Sequence, residues 1–134
     1  MQVVKPIDAA DAVRVELSSR VGYRVYCSPI RPDLREGDVV ITSLGGSAVS
    51  AASHAYDLSI GCYASNDALA EYMAEDVAGV IASLPLRDTM TQFNAAQIAV
   101  SYEDNDPRAP QLSRRSFRAS VIVPGADLDL GDDN

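Results

Sequence analysis

Residues able to do chemistry are sparse in this 134-residue sequence, and their spacing limits what they could do. The single histidine, His54, stands eight positions before Cys62 within one alternating run. Along a straight strand rising about 3.3 Å per residue, that spacing separates them by roughly 26 Å, although their side chains share a face. A nucleophilic Cys–His pair needs hydrogen-bond reach and a third group to orient the base, and no local motif supplies either. Cys27 could approach either residue from a neighbouring strand, which the sequence leaves open. The two cysteines lack the CxxC spacing of redox and zinc sites, and no signal-peptide pattern precedes them. Reduced, buried thiols are the expectation.

Carboxylates are more abundant but no better arranged. Asp127, Asp129, Gly131, Asp132 and Asp133 superficially resemble a calcium loop, yet the glycine of an EF-hand belongs at loop position six and here falls at position five. Asp104 and Asp106 sit among Asn105 and Pro107, which are ordinary turn residues. Gly45-Gly46 runs into serines, with no lysine of a phosphate loop beside it and no GxGxxG. The six tyrosines, against two phenylalanines, suit places packed on one side and wet on the other, at core margins or at interfaces. Arg114, Arg115 and Arg118 form the basic cluster of the sequence, either a solvated strand face or bidentate donors for a neighbour's carboxylates. No catalytic centre, cofactor or metal is expected; the pattern points to contacts with other proteins.

The charge balance agrees. Nineteen acidic residues against eleven basic ones give a net charge of -8. Binding to DNA without sequence preference, or to an anionic membrane, needs a surplus of Lys and Arg. No apolar run approaches the roughly 20 residues that cross a bilayer, so a soluble chain is expected.

The elements that must position these residues follow from periodicity. Ala9, Val13, Leu17 and Val21 form an apolar stripe, and Asp8 can cap the helix that carries it. Val25 to Ile30 reads as a short strand that Pro29 confines to an edge or an end. Val39 to Leu44 reads as a second strand, and Gly45 to Ser53 as a mobile loop or the extended tip of a hairpin. His54, Tyr56, Leu58, Ile60 and Cys62 alternate with smaller or polar residues, the period of a strand covered on one side. From Asn66 to Leu84 the spacing predicts a long capped helix whose stripe is Leu69, Tyr72, Met73, Val77, Val80, Ile81 and Leu84, with Pro85 beyond it. Ile98, Val100 and Tyr102 alternate as a further strand, residues 104–111 are polar and proline-rich, and Phe117, Ala119, Val121 and Val123 share one face of the last strand.

The order is therefore α-β-β-β-α-β-β. It predicts one α+β domain over residues 1–124, with a mostly antiparallel sheet of four to five strands covered on one face by two helices. The other face is left for solvent or a partner. Residues 125–134 are expected to be a flexible acidic tail.

This arrangement resembles the tail terminator family of long-tailed bacteriophages, also called tail completion or minor tail proteins. The resemblance rests on the N-terminal helix, the proline-containing turn near Pro29 and Pro32, and the hairpin from Val39 to Ala64. It rests further on YDLSIGCYASNDALAEYMAEDVAGVIASL (Tyr56 to Leu84) and on QIAVSYEDNDPRAPQLSRRSFRASVIV with its YEDNDPR turn. It implies a structural virion protein, assembled in the host cytoplasm into a ring, typically a hexamer. Such a ring caps the tail tube, ends its polymerisation and meets a head-completion protein of the neck, with DNA passing through unbound. It also implies that Gly45, Gly46, Ser47, Val49, Ser50 and Ser53 belong to a flexible arm that orders on a tube or neck partner. Arg114, Arg115 and Arg118 are then candidates for subunit contacts. The rival readings are another neck component, such as a head-tail joining protein, and a small dimeric ligand-binding regulatory domain.

Overall fold

The capping residues act as their spacing predicts. In the computed structural model, which describes residues 2–5, 8–50, 52–124 and 126–129, Asp8 accepts a hydrogen bond from the Asp11 N–H at 3.1 Å and opens helix α1 (Ala9–Ser18). Asn66 accepts from the Leu69 N–H at 2.9 Å and opens helix α2 (Asp67–Ser83). Each satisfies an N–H that a helix start otherwise leaves orphaned. Leu84–Leu86 then tighten into a 3-10 turn around Pro85.

Strands β1 (Gln2–Lys5), β2 (Arg24–Cys27), β3 (Asp38–Ser50), β4 (Ser53–Ala64), β5 (Ala95–Ile98), β6 (Tyr102–Glu103), β7 (Ser113–Pro124) and β8 (Ala126–Asp129) complete the chain. The main sheet runs β2-β3-β4-β7-β5, with the short β6 also on β7. Every pairing in it is antiparallel except β2 with β3, which is parallel. This is the α+β architecture that the periodicity predicts. Pro29 lies just past β2, and β2 is an edge strand as proline requires.

The acidic end differs from the tail that its composition predicts. Ala126–Asp129 pair antiparallel with Gln2–Lys5 as a separate two-stranded sheet. The alternation of Ala126 and Leu128 with Asp127 and Asp129 is the period of a strand, and composition masked it. Residues 125 and 130–134 lie outside the described residues.

One face of the main sheet and both helices enclose the core. Val39 and Ile41 of β3, Leu58, Ile60 and Cys62 of β4, and Phe117, Ala119, Val121 and Val123 of β7 are all buried against Val13 and Leu17 of α1 and Met73, Val77 and Ile81 of α2. Burial of each such aliphatic side chain contributes about 1.5–3 kcal/mol before conformational entropy opposes it. The stripe of α2 is narrower than its spacing predicts. Ala70 and Ala74 lie at the sheet, whereas Leu69 and Tyr72 remain 50% and 66% exposed. Small residues bring the helix axis close to the sheet, and the bulkier pair is turned onto its flank.

The second face is not left bare along its whole length. Tyr26, Val40 and Tyr63 form a small buried cluster there, covered by Ile30, Leu34 and Leu112 from the β2–β3 and β6–β7 connections. Buried Asp38 anchors the first of these. Arg24 donates to both of its carboxylate oxygens at 2.7 and 2.6 Å, Tyr26 donates its hydroxyl at 3.2 Å, and the Arg35 N–H reaches it at 3.3 Å. A carboxylate removed from water in this way is tolerated because its oxygens are hydrogen-bonded and its charge is paired.

Replacing Ile81 by alanine is expected to cost about 2–5 kcal/mol. The same change at half-exposed Leu69 should cost about 1 kcal/mol or less. Urea unfolding of the two variants checks that ordering.

Candidate interaction surface

The stretch of small residues that reads as a loop or hairpin tip is drawn out as strand. β3 continues to Ser50 and β4 begins at Ser53, so Gly45, Gly46, Ser47, Val49, Ser50 and Ser53 all belong to a long hairpin. From Ser43 to Ser50 the β3 arm is exposed, including Leu44 at 45% and Val49 at 57%. Two glycines shape it. The register slips between Ser43 and Gly45, where Gly45 adopts φ +111°, a conformation that L side chains avoid. Gly46 lies under the Tyr56 ring, and a Cβ there would stand 2.5 Å from Tyr56 Cδ1 and 2.8 Å from the Ala55 carbonyl oxygen. Beside it, the rings of His54 and Tyr56 stack with centroids 6.2 Å apart. Among the described residues, His54 Nδ1 and the Tyr56 hydroxyl are buried without hydrogen-bond partners.

The arginine cluster is divided by the pleat. Arg114 and Arg118 lie on the face of β7 opposite the helices, whereas Arg115 shares the parity of core residue Phe117. Arg114 is committed internally. It donates to the Tyr63 hydroxyl at 3.0 Å and to the Asp104 carbonyl, and it stands 3.3 Å from the Asp104 carboxylate and 3.7 Å from that of Asp106. Arg115 donates to Ser101 Oγ at 3.1 Å and to its carbonyl at 3.2 Å, with Glu71 at 3.9 Å. Arg118 is exposed, on the open part of the face beside Asp57, Gln97 and Ser120. Of the three, Arg118 alone is exposed.

Apolar surface that periodicity assigns to the core lies outside it. Leu69 and Tyr72 flank a cleft of about 500 Å³ with Tyr23, Gly37, Ala64 and Met73. At the opposite sheet edge, Val100 is 90% exposed and Tyr102 48%. The predicted strand through Ile98, Val100 and Tyr102 is broken: β5 stops at Ile98, β6 starts at Tyr102, and Val100 bulges out between them. Leu86 and Met90 are also exposed, in the connection that follows α2.

The thiols differ from the expectation of two buried groups: Cys62 is buried, whereas Cys27 is half-buried. Burial pushes the Cys62 thiol up to about 12, and burial, followed by the carboxylates of Asp8 and Asp11, raises that of Cys27. Both are free, and β3 separates them: Cys27 is level with Ile41, and Cys62 with Val39. His54 and Cys62 lie toward opposite ends of β4. Among the described residues, no group of three or more His, Cys, Asp or Glu side chains could hold a metal ion, and no helix is long and apolar enough to cross a membrane.

Two carboxylates carry a pH dependence. The Arg24 guanidinium hydrogen-bonded to Asp33, and that of Arg108 to Asp106, hold these groups below the usual carboxylate range. A lowered folded pKa contributes stability that is present above the ordinary value and lost as pH falls through the folded one. The urea midpoint should therefore drop as pH is lowered below about 4, and Asp106→Asn should flatten part of that drop. Gly46→Ala, which must displace the Tyr56 ring, is expected to cost about 1–3 kcal/mol in the same assay. Compared with protein-family models and with curated proteins, the sequence matches none.

Proposed function

We propose that this chain is a structural subunit that assembles with copies of itself into a ring of the bacteriophage tail-terminator type. In this reading the ring, typically hexameric, caps the tail tube, ends its polymerisation and meets a head-completion protein of the neck. The observation that carries the reading is the placement of exposed apolar surface on two opposite edges of one sheet. Leu44 and Val49 lie along β3 on one side, and Val100 and Tyr102 beside β5 and β6 on the other. Unlike patches on opposed sides favour head-to-tail contacts, which close into rings when the rotation between neighbours divides the circle evenly. The net charge of -8 supports passage of DNA without capture, because an acidic subunit repels phosphate. The same geometry also suits another component of the neck.

A second reading draws on the cleft beside Tyr23 and Met73, whose volume of about 500 Å³ lies within the range of small-molecule sites. That reading predicts a compact dimer with a ligand.

Light scattering on the purified protein, alone and mixed with tail-tube protein, separates these readings. Closed rings with a central hole in negative stain, and tubes that stop growing when the protein is added, are the expected results. A compact dimer that leaves tube growth unchanged overturns the ring.

A further inference from the structure

The main sheet ends in two backbone edges that are level, opposite in sense and nearly free of charge. β2 covers β3 only from Asp38 to Ile41, so the outer edge of β3 from Thr42 to Ser50 has no neighbouring strand among the described residues. That edge reads TSLGGSAVS. It holds neither the charged side chains nor the proline with which exposed strand edges are usually blunted against pairing. The other edge is β5, whose residues Ala95–Ile98 are also uncharged and, among the described residues, pair on one side only, with β7.

The registers place these edges at one height. Across the sheet, Ile98 is level with Ala119, Leu58 and Ser43, and Ala96 is level with Val121, Tyr56 and Gly46. Hydrogen-bond phase matches as well. The carbonyls of Arg114, Arg118 and Ile122 accept from Asp104, Ala99 and Asn94, so the even-numbered residues of β7 direct their backbone groups toward β5 and β6. Gln97, opposite Ser120, therefore points inward, and Ala96 and Ile98 turn their N–H and C=O groups outward. On β3 the Ile41 carbonyl accepts from Ser28 on the β2 side, so Ser43 also points outward. The bulge at Leu44 then moves the outward set to Gly46 and Ala48. Ser43 with Ile98 and Gly46 with Ala96 are the outward residues of shared rows. β3, β4, β7 and β5 are four consecutive antiparallel strands, an even number, so a strand that adds antiparallel to β3 runs in the direction of β5.

We infer that the β5 edge of one copy adds to the open β3 edge of the next, joining their sheets through main-chain hydrogen bonds with Ala96 opposite Gly46 and Ile98 opposite Ser43. The occupant is a second copy of this chain, because the fit lies in its own register and in two edges where copies of charge -8 can approach without like charges meeting. The inference rests on the self-assembly reading above and names the contact that would perform it. Strand addition of this kind takes its affinity from backbone hydrogen bonds.

Cysteine pairing tests it directly. In a Cys27→Ser background, a chain carrying Ser47→Cys and Ala95→Cys places the two thiols in one row across the proposed joint. Within a single chain they are three strand spacings apart, about 14 Å, too far for a disulfide. Mild oxidation is expected to give a ladder of covalent multimers, and a mixture of the two single variants only covalent dimers. Ala96→Pro removes an outward N–H and leaves the inner ladder intact; it should weaken self-association about tenfold or more while the protein unfolds in urea as before. Multimers in solution without a ladder overturn the edge pairing and leave self-assembly standing. A chain that stays monomeric with and without tube protein overturns both. Covalent dimers from Ser47→Cys alone replace this joint with a two-fold β3–β3 contact and overturn it.

Discussion

Packing of α2 on the central β4–β7 pair is the constraint on which the remaining structure depends. Val77 and Ile81 meet Ile60 and Phe117, all fully buried, and the alanines at 70 and 74 let the helix come close enough for dense contact. Once that face is sealed, the two-residue period of each strand assigns every other side chain to the opposite face. The positions of Arg114, Arg118, Tyr63 and Asp57 are consequences of burying their neighbours.

The opposite face is finished by a different kind of interaction. Its cluster of Tyr26, Val40 and Tyr63 is small, and ion pairs and hydrogen bonds fix the connections that cover it. Asp38 and Arg24 tie down one connection, and Arg114 with Asp104 and Asp106 the other. Such pairs add little net energy when compared with apolar packing, but losing one partner leaves a charge uncompensated. Their contribution is to specify one loop arrangement, which in turn leaves the hairpin end of the face open around Asp57, Arg118 and Ser120.

That division leaves the two ends of the sheet unlike one another. One end of the sheet is wrapped by helices and connections, and the other projects as a hairpin whose β3 edge is exposed and unblunted. A domain with such an edge risks uncontrolled pairing. Here the edge is shaped by the bulge at Leu44, the left-handed Gly45 and the ring seated on Gly46.

By itself the sequence determined what short-range physics controls. The caps at Asp8 and Asn66, the long helix after Tyr63, the alternation from His54 to Cys62 and the edge position forced by Pro29 were all legible, because each depends on residues within a few positions of one another. The α+β class followed from their order. What tertiary structure decided were the matters that depend on distant neighbours. Leu69 and Tyr72 matched the helical period but were turned aside by the closer fit of alanines. Val100 matched the strand period but left the ladder between Ala99 and Tyr102. Three arginines within five positions were divided between two faces, and Gly45-Gly46, read as part of a mobile loop or the extended tip of a hairpin, lie in the hairpin beside a bulge and under a tyrosine ring. Periodicity states which residues can share a face; which strand lies alongside, and where its ladder stops, is set by contacts between segments far apart in the chain.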